Sequence, residues 1–136
     1  MMRAHYAFDD KRFTLPGTDP EAVYASFLEQ QFSDPNAAIF VAEREGAVIG
    51  YLYTGIEPPS FRELRHEAGF LHDIVVAEGS RRGGVAKRLI AAAIEWLHGR
   101  GVDQVMLWTA PANDAAQRLF ASVGFRRTMI EMSRDP

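Results

Sequence analysis

The stretch from Leu71 to Leu89 constrains this chain more than any other: an apolar strand through Ile74, Val75 and Val76 runs by way of Gly83-Gly84 straight into a helix beginning near Val85. A strand that stops just short of glycines and a helix start leaves several backbone N–H groups unpaired, with the positive end of the helix dipole behind them. Such a place binds anions, phosphates above all. Glycine at 83 and 84 permits close approach of the backbone to the ligand.

Composition bounds what can surround that cradle. At 136 residues and 47% hydrophobic content the chain can build one core and is too short for two ordinary domains, so a single domain over 1–136 is expected. A net charge of −3 and a pI near 5.8 give no general electrostatic reason to bind nucleic acid or a membrane surface. The absence of cysteine excludes disulfides, thiolate nucleophiles and Cys-based zinc sites, and the four histidines show no HExxH spacing, so no metal is indicated. Met1 to Phe8 has no apolar signal-type core, and no stretch reaches the ~18–20 apolar residues that span a bilayer. A cytoplasmic location is expected.

The remaining elements are short and contiguous. Thr18-Asp19-Pro20-Glu21 offers a capping box with proline in the first turn, and Val23, Tyr24, Phe27 and Leu28 recur at helical spacing, which predicts a helix from Pro20 to Phe32. Ala38–Ala42 and Val48–Tyr53 flank Glu45-Gly46 as an antiparallel hairpin. Pro58-Pro59 halts regular structure, and the charged run Arg62, Glu63, Arg65, His66, Glu67 reads as a solvated face or a substrate rim. From Val85 to His98 the helix is apolar on most sides, with Lys87, Glu95 and His98 on one narrow stripe, and should be mostly buried. Gly99 and Gly101 end it, and Val102 to Thr109 reads as a second buried strand, with Trp96 and Trp108 as core. Asn113 can cap a helix through Ala116, Leu119, Phe120 and Val123 that Gly124 stops, and Phe125 to Ser133 is expected as the closing strand. The order predicts a mixed α+β sheet, mostly antiparallel, with one parallel pair around the Val85–His98 helix and a cleft at that pair.

In that order the residues resemble the GCN5-related N-acetyltransferase (GNAT) superfamily, whose signature Arg/Gln-x-x-Gly-x-Gly/Ala stands here as Arg81-x-x-Gly84-x-Ala86 between strand and helix. The resemblance covers Ala38 to Ser133 and implies an α/β sandwich whose parallel strands splay around coenzyme A, with helices on both faces. It implies an acetyl-CoA site. Backbone N–H groups of Arg81, Arg82, Gly83, Gly84, Val85 and Ala86 would hold the pyrophosphate, with Lys87 beside them, and Ile74, Val75 and Val76 would pair with the pantetheine amides. Asn113 and Phe120 would complete the cofactor side. The implied chemistry is direct acetyl transfer to a primary amine of a small molecule or peptide in a ternary complex. It needs a base for the ammonium, a donor for the oxyanion and an acid for the thiolate. The family commonly dimerises, although nothing in the sequence marks an interface.

His72, with an ordinary pKa near 6.5, suits the base, and the backbone N–H of Ile74 is the oxyanion donor by resemblance alone. His72 has a second reading, as a core histidine satisfied by a carbonyl, and Asp73 a second reading as the structural partner of a neighbouring loop. Regular alternation would set His72 and Asp73 on opposite faces, so that only one meets the acceptor, unless a bulge intervenes. Phe120 occupies the position where many members carry a tyrosine acid, and phenylalanine donates no proton. A thiolate of pKa ~8.5 can leave unassisted. Phe120 also keeps open a different class of function, a CoA-binding module that senses acyl-CoA without turnover.

Overall fold

A computed structural model of the chain describes residues 8–14, 19–81 and 83–136. Contacts divide it into two compact units, Ala25–Trp108 on one hand and Met1–Tyr24 with Thr109–Pro136 on the other.

The larger unit is built on a four-stranded sheet in the order β1 (Ala37–Arg44), β2 (Ala47–Glu57), β3 (Ala68–Val76), β4 (Val105–Met106). The first two pairings are antiparallel and β3–β4 is parallel, as the mixed α+β reading expects. The β1–β2 hairpin turns on Glu45 (φ +51°) and Gly46 (φ +80°). A two-residue hairpin loop that follows the twist of its strands needs positive φ at both positions, which glycine supplies without strain.

Helix α2 (Val85–Gly99) connects β3 to β4. It buries Val85, Leu89, Ile90, Ala93 and Leu97, the i, i+4 spacing of a single face, against the sheet side that carries Leu52 and Thr54. Leu52, Thr54, Ile90 and Leu97 are fully buried. The expectation of a helix buried on most sides is corrected, because Lys87, Arg88, Ala91, Glu95 and His98 are exposed. The sheet covers only one side of the helix, and alanine makes a cheap exposed residue.

Helix α1 (Pro20–Gln31) starts where Asp19 Oδ1 accepts from the Ala22 N–H at 3.1 Å, with Pro20 as the first helical residue. Thr18, the expected capping hydroxyl, lies outside the described residues. The end of α1 meets the other face of the sheet: Phe27 packs edge-on to Tyr53 at 5.9 Å, and Tyr53 points away from its neighbour Leu52. Helices therefore cover both faces.

Two strand expectations need correction. Of Val102–Thr109 only Val105–Met106 is strand, in register with Gly69 and Phe70. Val102 is instead drawn to the helix end, its N–H donating to the Leu97 carbonyl at 3.1 Å, while Trp108, expected in the core, is 70% exposed and tilts onto Phe70 at 5.4 Å. Phe125–Ser133 forms no strand, and Met129, Ile130 and Met132 are exposed. Strand-prone residues become a strand only where a partner edge accepts their ladder, and among the described residues none pairs with this segment.

In the smaller unit, α3 (Asp114–Ser122) is capped by Asn113, whose Oδ1 accepts from the Ala116 N–H at 3.2 Å, and it stops before Gly124 at φ +100°. Phe120 is buried and packs edge-on to Phe125 at 5.9 Å. Arg12 forms an ion pair with Glu131 near the chain's end. No helix among the described residues is long and apolar enough to cross a membrane.

Candidate functional site

Strand β3 carries one more residue than β2 at its middle. Tyr53 faces Asp73 and Thr54 faces Leu71, leaving His72 as the extra residue of a bulge. Asp73 and His72 both lie on the face of Tyr51 and Tyr53: the Tyr51 hydroxyl donates to Asp73 Oδ2 at 2.5 Å, and the His72 ring stacks on Tyr53 at 4.9 Å. The alternation that would have separated them is broken, as the bulge reading allowed. Behind the bulge, the buried Thr54 hydroxyl donates to the Phe70 carbonyl at 2.7 Å, which satisfies both groups in a part of the core where water does not reach.

The imidazole of His72 lies between Tyr53 and Phe70, with ring centroids 4.9 and 5.8 Å away. Gly55 makes the space, since a Cβ there would stand 3.2 Å from His72 Nε2. The same nitrogen is 3.2 Å from Glu57 Oε1, and the two side chains are 24% and 41% exposed. Burial pushes the His72 pKa below 6.5, and the carboxylates of Glu57 and then Asp73 offset this in part. The imidazole is therefore mostly neutral at neutral pH. With Nε2–H directed at Glu57, the proton-accepting lone pair is on Nδ1. Burial, and after it the Asp73 carboxylate, push the Tyr51 phenol well above its ordinary range, so it remains a donor. Tyr53 is raised by burial, then by Glu57 and Asp34, and its hydroxyl donates to Gln31 Oε1 at 3.3 Å.

Glu57, Tyr51, Tyr53 and Gln31 escaped the sequence reading. The signal was present on β2, where Tyr51, Tyr53, Gly55 and Glu57 alternate with Leu52, Thr54 and Ile56. A glycine inside an aromatic face marks a place where another group comes close. In the charged run after Pro58-Pro59, Arg62, Glu63, His66 and Glu67 are exposed, as a solvated face would be, and Arg65 is the exception. Arg65 is 10% exposed in its side chain and donates to the carbonyls of Pro58 and His66 at 2.8 and 3.1 Å, with its guanidinium 5.0 Å from the Phe70 ring centroid.

Past Phe70 and Met106 the parallel pair ends, while β3 continues to Val76 paired with β2 alone. The half-buried Ile74, Val75 and Val76 thus present an edge on which no strand stands among the described residues. The glycine loop follows. Ala77 N–H donates to the Ile49 carbonyl at 2.7 Å, a short 3-10 turn covers Glu78–Ser80, and Arg81 Nε donates back to the Val76 carbonyl at 3.2 Å. Gly84 caps α2 at φ +72° with no side chain on the first-turn N–H groups, and a Cβ on it would meet nothing within 4 Å. The start of α2 is bare backbone. Such a cap fits a phosphate better than it fits a self-contained helix end. Val85 is buried, so only its N–H can serve a ligand, whereas Ala86 is half-buried and Lys87 exposed. Arg82 lies outside the described residues. Asn113 and Phe120 belong to the other unit, as a helix cap and a buried ring.

Residues 4–125 match the acetyltransferase (GNAT) family. A mycothiol acetyltransferase of Thermobispora bispora is 33% identical over 104 residues, which is 76% of this chain and 35% of the relative. Human N-acetyltransferase 8 is 30% identical over 82% of the chain and 46% of its own length. The chain thus spans between about a third and a half of these relatives. Among solved structures, aminoglycoside N-acetyltransferase AAC(6')-Iy in complex with the bisubstrate analogue CoA-S-monomethyl-acetylneamine has a TM-score of 0.76 at 27% identity, covering 89% of this chain and 83% of that one. A tetramutant of the BH1408 protein of Bacillus halodurans shares the fold at a TM-score of 0.81 and 18% identity, over 99% and 86% of the two chains.

Proposed function

The chain belongs to the GNAT acetyltransferase family, and from that premise we propose that it moves an acetyl group from acetyl-CoA directly to a primary amine of a small molecule or peptide. Acetyl-CoA supplies the activated acyl group as a thioester. The backbone N–H groups from Arg81 to Ala86 take the pyrophosphate at the bare start of α2, and the open edge of Ile74–Val76 takes the pantetheine amides. That the AAC(6')-Iy neighbour is an aminoglycoside N-acetyltransferase solved with a bisubstrate analogue supports both the cofactor and an amine acceptor.

The observation that carries the reading is the bulge, which turns His72 to the same face as Asp73 beside the point where β3 and β4 part. His72, neutral by burial, accepts the ammonium proton, and Glu57 orients the ring and balances the charge it gains. The Ile74 N–H is the oxyanion donor. Tyr51 donates to the Asp73 carboxyl and holds it in place beside His72. As the C–N bond forms and the C–S bond breaks, the thiolate departs and takes its proton from solvent, since Phe120 has none to give.

The test is thiol release over a panel of amines alongside calorimetry with CoA. Turnover on at least one amine, lost by 10²–10⁴-fold in His72→Ala with CoA affinity intact, is the expected result. CoA binding with no turnover on any amine would instead establish the acyl-CoA-binding module that Phe120 favours. A His72→Ala variant that keeps full activity would remove His72 from the mechanism.

A further inference from the structure

The glycine loop has a neighbour from outside its own segment. Arg44, the last residue of β1, reaches across the hairpin so that its Nη2 lies 3.1 Å from where a Cβ on Gly83 would stand. Arg44 is exposed, and among the described residues no hydrogen bond or ion pair engages its guanidinium. In a chain with more acids than bases, an arginine without a carboxylate beside a phosphate-type loop calls for a partner. Its position is held from both sides: the Glu45-Gly46 turn fixes the end of β1, and the Ala77–Ile49 hydrogen bond draws the start of the loop onto β2. Gly83 therefore has a second use besides backbone approach, because a side chain there would displace the guanidinium.

We propose that Arg44 recognises the 3′-phosphate monoester at the nucleotide end of CoA, a proposal that rests on the cofactor reading above. CoA carries two kinds of phosphate. The pyrophosphate diester is matched by backbone N–H groups at the helix start, which suit a ligand that lies against bare backbone. The monoester carries close to two charges near neutral pH and three acceptor oxygens, and a planar guanidinium meets two of those oxygens at once. Arg44 comes from a separate strand and meets the loop at Gly83, upstream of the helix start at Val85. It is thus placed for a group that branches away from the pyrophosphate. Lys87 and Arg88 on the first turn of α2 add local positive potential without that fork geometry.

Calorimetry of CoA and of 3′-dephospho-CoA, with the unsubstituted chain and with Arg44→Ala and Arg44→Lys, tests this by binding alone. The unsubstituted chain should prefer CoA, Arg44→Ala should lose on the order of tenfold for CoA and almost nothing for dephospho-CoA, and Arg44→Lys should recover part of the loss. An equal loss on both ligands would assign Arg44 to the pyrophosphate or to general attraction and overturn the proposal. So would no loss on either. Failure of the unsubstituted chain to bind either ligand would overturn the cofactor reading and this proposal with it. Since Arg44 is exposed, unchanged melting of the variants separates lost binding from lost folding.

Discussion

Gly69 is where the sheet tolerates the helix, and Gly69→Ala should destabilise the fold by an amount that can be worked out. A Cβ at 69 would stand 2.5 Å from Leu97 Cδ1, 2.7 Å from Cδ2 and 3.1 Å from Cγ. Carbon atoms in contact prefer ~3.5–4.0 Å, so the Leu97 side chain would have to retreat by about 1 Å. It cannot retreat into solvent, because it is fully buried. Overpacking of this kind costs about 1–3 kcal/mol, and each kcal/mol lowers the Tm of a chain this size by roughly 3–5 °C. Gly69 pairs with Val105 and starts the short parallel register, so cofactor affinity should fall as well. Urea unfolding followed by far-UV circular dichroism gives the first number and calorimetry the second. Leu97→Ala alone should cost ~2–5 kcal/mol as a cavity, but adding Gly69→Ala to it should cost little, because the new methyl enters the vacated space. If Gly69→Ala unfolds with the parent, or if the two costs simply add, the clash is not what glycine at 69 relieves.

Glu57→Gln should move the acid limb of kcat/KM to lower pH, because the carboxylate holds the His72 pKa up against burial, and its loss leaves the imidazole harder to protonate; a limb that moves upward in the pH–rate profile would refute this. The same depressed pKa sets a stability window: the unfolded chain protonates His72 near pH 6.5 and the folded chain does so only lower, so this contribution is complete above 6.5 and is lost as pH falls towards the folded value. Unfolding curves across that range should show the loss in the parent and not in His72→Ala. Asn113→Ala should cost about 1 kcal/mol by removing the acceptor for the Ala116 N–H, with Asn113→Ser giving most of it back in thermal melts; equal melting of all three chains would deny Asn113 its capping role.

What the sequence could disclose was whatever is decided locally. The Glu45-Gly46 hairpin, the start of α1 at Pro20, the Gly84 start of α2 and the Asn113 cap each depend on a few consecutive residues and stand where the pattern put them. Pairing depends on two segments at once. Nothing in Val102–Thr109 or Phe125–Ser133 says how much strand a neighbour will accept, and the first keeps two residues of ladder and the second none. The environment of His72 was illegible for the same reason: its neighbours Tyr53, Phe70 and Glu57 come from two strands whose register shifts between Tyr53 and Thr54.

That shift has one physical cost and two returns. An unpaired residue in mid-strand interrupts the ladder, and beside it the buried Thr54 hydroxyl finds its partner in the Phe70 carbonyl. The first return is that His72 and Asp73 come to one face, where Gly55 makes room for the ring and Tyr51 holds the carboxylate. The second concerns β4: a bulge strengthens the twist of its strand, and β3 parts from β4 at Phe70, just before the extra residue at 72. Deleting the bulge by removing His72 from the chain should therefore do more than remove a base. It should restore regular alternation with Asp73 still opposite Tyr53, and narrow the opening that the Ile74–Val76 edge needs, so that CoA affinity falls along with activity, whereas His72→Ala, which keeps the extra residue, should spare the affinity.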